Sequence, residues 1–167
     1  HKIDQNLRIG NLVDAENDGL PQANAFGDDV NGIDDEDGII PPAVIIRDVP
    51  AVFQVFVTNE TGAPAYLQGF VDWDNDGSFE DNVAFTKAPL VTIPADSSGY
   101  FEVTFMVPTV PIPLPDRVAA RFRLSDENQL VRFSYGPSVA LAATPSVSND
   151  ILGEVQDLYV NIAAYDW

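Results

Sequence analysis

With 167 residues, 46% of them hydrophobic, the chain is long enough for one domain with a sizeable core and short for two. It has no cysteine, which excludes a disulfide framework, a thiolate zinc site and a cysteine nucleophile. Its formal net charge of −18, from 26 acidic and 8 basic residues, makes nucleic acid and anionic bilayers poor partners. No apolar stretch approaches the roughly 20 residues that span a bilayer, so no direct membrane insertion is expected.

Residues 1–13 read as an entry segment with little pattern. The chain begins at His1, so any export signal is expected to have been removed or to lie upstream. Residues 14–38 read as a long loop: they are rich in Asp, Asn and Gly, and nine acids fall between Asp14 and Asp37. A structureless loop of 25 residues is unusual in a compact domain, and becomes reasonable if ions tie its carboxylates together.

Residues 39–167 carry short apolar runs separated by Pro and Gly. They are Ala43–Arg47, Ala51–Thr58, Ala65–Trp73, Pro89–Ile93, Tyr100–Val107, Arg117–Ser125, Leu130–Tyr135 and Val155–Ala163. Several alternate with period two. Phe101, Val103, Phe105 and Val107 share one side, and Tyr100, Glu102, Thr104 and Met106 share the other. Val118, Ala120, Phe122 and Leu124 repeat this against Arg117, Arg121 and Arg123. Such alternation predicts half-buried strands. No window carries a sustained helical stripe, and the prolines sit mainly at run boundaries. The expected fold is one all-β domain over 1–167: an antiparallel two-sheet β-sandwich, Ig-like or jelly-roll-like, with a long acidic metal-binding N-terminal loop.

The sharpest motif runs from Asp72 to Asp81. Asp72, Asp74 and Asp76 place oxygen ligands at alternate positions of a turning loop, Gly77 permits the bend, and Glu80 comes next. That pattern suits a hard cation such as Ca2+, which takes six to eight oxygens at about 2.3–2.6 Å. Asp-Asn-Asp-Gly is also good turn sequence by itself. It is not a complete EF-hand, because the twelfth position counted from Asp72 is Val83, not an acid. A second cluster comprises Asp28, Asp29, Asp34, Asp35, Glu36 and Asp37. These carboxylates repel one another unless neutralised, so the alternatives are metal binding and a solvated acidic loop. A third element, Gly153-Glu154-Val155-Gln156-Asp157-Leu158-Tyr159, opens the last strand. Alone it is weak, since Glu154 and Asp157 fit ordinary surface positions.

Together these elements resemble the GEVED domain family, named for a Gly-Glu-Val-Glu-Asp-Tyr motif. The likeness is carried by residues 153–159, by Gly27-Asp28-Asp29 with Asp34–Gly38, by Val71–Gly77, and by the Ala-Arg-Phe-Arg-Leu-Ser strand at 120–125. The resemblance implies a β-sandwich accessory module of large secreted or cell-surface bacterial proteins, beside adhesive, carbohydrate-active or protease domains. It favours calcium. Gln156 departs from the motif by removing one charged ligand. Leu158 departs by separating Asp157 from Tyr159, so Glu154 carries over more directly than Asp157.

The expected function is a calcium-binding structural or adhesive module, extracellular or on the cell surface, whose partners are neighbouring domains of the parent protein. Calcium would draw the acidic loop onto the sheet and onto the start of the last strand, so that binding free energy becomes folding free energy. The alternative is a calcium-stabilised carbohydrate-binding module that recognises a polysaccharide or surface glycan. Trp73 and Tyr66 would be its ligand-binding rings, although aromatics more commonly pack in cores. No catalytic residue is expected. His1 is the only histidine, which rules out a Ser-His-Asp triad built on another, and calcium-bound carboxylates are poor general acids. Arg117, Arg121 and Arg123 read as a stripe pairing with acids on the sheet surface, or as a docking face for an acidic ligand.

Overall fold

A computed structural model describes residues 5–11, 38–75, 77, 79, 87–108, 115–128 and 153–163. Its strands, in chain order, are β1 (Leu7–Ile9), β2 (Ile39–Ile40), β3 (Ala51–Asn59), β4 (Ala65–Asp72), β5 (Val91–Ile93), β6 (Ser97–Phe105), β7 (Arg117–Ser125) and β8 (Gly153–Asn161). Among the described residues there is no helix.

The strands form two antiparallel sheets. In the first, β3 is central: β6 pairs along its whole length on one edge, while β1 and β2 share the other edge end to end. In the second, the order is β5-β4-β7-β8. The inward phase of β3 supplies Phe53, Val55 and Val57, and that of β6 supplies Val103 and Phe105. Opposite them lie Leu67, Val71 and Trp73, with Val118, Ala120, Phe122 and Leu124 from β7. Burying these side chains is the dominant drive to the fold. Phe105 packs edge-on against both Phe53 and Phe122, with centroids 5.5 and 6.2 Å apart. Gly69 of β4 makes room for this cluster, since a Cβ there would lie 2.6 Å from the Phe105 ring.

The period-two readings of β6 and β7 match the inward phases. Two expectations differ. The entry segment contains β1. The run Ala43–Arg47 contributes only an isolated parallel bridge, Ile45 to Ile162. The run Leu130–Tyr135 lies outside the described residues.

The edge shared by β1 and β2 is one strand line interrupted by a long excursion. The Phe56 carbonyl accepts from Gly10 N (2.8 Å), and Phe56 N donates to the Gly38 carbonyl (2.7 Å). Gly10 and Gly38 therefore meet beside one residue of β3. They meet so closely that a Cβ on Gly38 would stand 2.4 Å from Gly10 N. Only glycine allows that approach, which explains the glycine ending the Asp-Asp-Glu-Asp-Gly run. Residues 11–37, which lie in sequence between these two glycines, carry nine acids and no Lys or Arg.

Candidate metal centre

Asp72 ends β4 and faces outward, away from the core, at 1% exposure. Its Oδ2 accepts the Gly77 amide at 2.9 Å, closing a loop that passes through Asn75 in the left-handed region (φ 56°) and Gly77 (φ 87°). The loop thus turns back on the first aspartate, as the motif anticipated. Asp74 is exposed beside it. Asp76 and Glu80 lie outside the described residues, as do Asp28, Asp29, Asp34, Asp35 and Asp37.

Glu154 is placed elsewhere. On β8, residues 154, 156, 158 and 160 take the inward phase, opposite Leu124, Phe122, Ala120 and Val118. Glu154 and Asp72 therefore lie on opposite faces of the same sheet, near opposite ends of β7, where their partners are Leu124 and Ala119. They do not share one centre. Among the described residues no group of three or more His, Cys, Asp or Glu is placed to hold a metal ion.

What Glu154 does hold is β1. Ile9 turns its amide and its carbonyl away from β3, toward β8. Glu154 Oε2 accepts the Ile9 amide (2.5 Å), and Gln156 Nε2 donates to the Ile9 carbonyl (3.2 Å) and to Glu154 Oε1 (3.4 Å). Two side chains thereby replace the backbone of a missing neighbouring strand. Gln156, which reads as the loss of a charged ligand, supplies a donor that an ionised carboxylate lacks. Its own Oε1 is buried and has no hydrogen-bond partner among the described residues. Orphaned buried acceptors of this kind take a water or an ion.

Asp157 takes the outward phase and pairs with Arg121 across the β7–β8 ladder. Nε to Oδ1 is 2.7 Å and Nη2 to Oδ2 is 2.6 Å, a bidentate ion pair. Both partners are buried, and the Arg121 guanidinium also stacks 4.5 Å from the centre of the Phe79 ring. Burial raises the Asp157 carboxyl above its ordinary value, while the hydrogen bonds and charge of Arg121 pull it back down. Arg123 is buried too. Burial, and then the neighbouring Arg121 charge, lowers its guanidinium from the ordinary arginine range to about 10. The arginine stripe is therefore no docking face at 121 and 123: Phe70, Phe79, Ala119 and Tyr159 form a second apolar cluster over this side of the sheet. Arg117 alone of the three is exposed, stacked 4.5 Å over Tyr159.

Of the rings named for a glycan, Trp73 is fully buried in the main core, edge-on to Phe105, so no ring face is open to a sugar. Tyr66 is half-buried on the outer face of the second sheet. The exposed Tyr100 meets Phe56 at 72°, so these two rings offer no coplanar platform. Sequence signals for the Ile9 clasp did exist. Glu154 and Gln156 share the alternation phase of Leu158 and Val160, so two polar groups had to find partners on a core-facing side.

Two antiparallel sheets packed through an apolar interior define an all-β sandwich module. The chain belongs to the GEVED domain family, whose model matches residues 66–161, more than half of its length. Among solved structures, the chain is similar to the CARDB domain of a Pyrococcus furiosus protein, determined in complex with di-metal ions. That likeness has a TM-score of 0.39 at 15% identity and covers 74% of this chain and 87% of that one. No curated protein matches the chain significantly.

Proposed function

We propose that the chain is a calcium-stabilised, non-catalytic accessory module of a larger secreted or cell-surface protein, with a structural or adhesive role beside neighbouring domains. The observation that carries this reading is the convergence at Gly10 and Gly38. A segment holding half of the chain's net −18 charge closes onto one strand position, next to Glu154 and the orphaned Gln156 Oε1. Nine acids in one segment with no Lys or Arg repel one another unless cations neutralise them. The Asp72–Gly77 loop supports a second ligand set, with Asp72, Asp74, Asp76 and Glu80 as its oxygens. Extracellular calcium is abundant enough to fill weak sites of this type.

The test is calorimetric unfolding of the whole chain in millimolar calcium and then in excess chelator. The expected result is a fall in Tm on chelation, restored by calcium and less well by magnesium. At calcium 100-fold above Kd the effect corresponds to about 2.7 kcal/mol per site. An unchanged Tm would reject the calcium reading.

A further inference from the structure

We propose that this module is built to bear tension along its long axis, with the Glu154–Ile9–Gln156 contact as its clamp. The proposal rests on the reading of the chain as a structural module and adds what that structure does. It follows from where the two terminal strands lie and which way they run.

Leu7 starts β1 opposite Asn59, the last residue of β3. The turn from β3 to β4 is short and is tied by Asn59 Nδ2 to the Ala63 carbonyl, so Asn59 and Ala65 lie at the same end of the sandwich. β4 then runs to Asp72 at the far end, where the register places Ala119, Tyr159 and Asn161. Ile162 N bonds the Asp116 carbonyl there, and Ala163 N bonds the Ile45 carbonyl. The first and last described strands therefore anchor at opposite ends. Nine residues of β3 span about 30 Å between them.

The two strands also point the same way. β1 rises from the Asn59 end, and β8 rises from Gly153, near that end, to Asn161 at the other. A pull on Leu7 and Ala163 therefore draws β1 and β8 along their own axes in opposite directions. Bonds crossing the direction of pull share the load, whereas bonds in a peeled ladder break one at a time. β8 is held in shear by its nine-residue pairing with β7. β1 has only three paired residues on β3, and its direct link to β8 is the clasp at Ile9. The buried, charge-assisted Glu154 bond is the stronger half of that clasp.

The experiment is single-molecule force spectroscopy on the full chain, whose lack of cysteine lets two introduced thiols serve as unique handles. The axial geometry uses Gln5→Cys with Ala163→Cys. The peeling geometry uses Asp116→Cys with Ala163→Cys, which unzips β8 from β7. The expected result is a clearly higher rupture force in the axial geometry. Glu154→Ala should accelerate axial unfolding at constant force by about tenfold, Glu154→Gln by less because it keeps an acceptor, and neither should change peeling. Equal rupture forces in the two geometries would overturn the proposal, and that comparison stands even if Glu154→Ala does not fold. An axial rate indifferent to Glu154→Ala would overturn the clamp assignment. Both geometries are measured in calcium and in chelator. Loss of the ion effect with the axial advantage intact rejects calcium binding alone.

Discussion

The outer faces of the two sheets read alike in the sequence and differ in the structure. On the first sheet, Tyr100 and Met106 are each 55% exposed, and Gln54 bonds Glu102 in the open (2.9 Å). On the second sheet the corresponding positions are Arg121, Arg123 and Asp157, all buried. The chain beyond β4 makes the difference. After Asp72 it brings Phe79 over Arg121, whereas no described residue covers Tyr100 in that way. A polar residue on the outward phase of a strand is solvated only if nothing returns to cover it. The charged face that is covered must then be paired internally, and Arg121 with Asp157 meets that demand.

The largest expected effect tests the covered face. Asp157→Ala leaves a buried guanidinium without its carboxylate and should cost about 3–5 kcal/mol in urea unfolding. Adding Arg121→Met to that variant should recover much of the loss, because an apolar pair can fill the same space. If Asp157→Ala were near neutral, the two outer faces would not differ. A middle effect tests the cover itself. Phe79→Leu keeps apolar bulk but removes the stacked ring, with an expected loss of about 1–2 kcal/mol and a gain of solvent exchange at Arg121 by NMR. The smallest effect belongs to the open face: Glu102→Ala should shift stability by less than about 0.5 kcal/mol. A larger shift would mean that this face is also covered.

Much of the fold was legible because long strands with period-two alternation state their own phase. β6 and β7 are such strands, and their inward residues are the ones the sequence indicates. β1 was not legible. Leu7-Arg8-Ile9 is too short for a pattern, and its stability comes from partners far along the chain at Phe56, Glu154 and Gln156. Glu154 stood out as a site residue, but its contact spans 145 residues of sequence, which no local pattern encodes. The outward phase of Arg121 was legible, and its acidic partner was anticipated. Its burial was not, because Phe79 reads as one aromatic in an acidic loop until the chain folds back.

The junction of Gly10 and Gly38 has a consequence for how such modules diversify. Closing a flexible loop costs only about 0.6 kcal/mol more for each doubling of its length. A segment whose two ends already touch can lengthen, shorten or exchange its content while the strand on either side keeps its register. The split edge is thus a natural grafting point. A chain rewritten to pass from Gly10 directly into Ile39 would be expected to keep the sandwich and to lose half of its net charge, which makes the junction a place where evolution or design can swap cargo without rebuilding the frame.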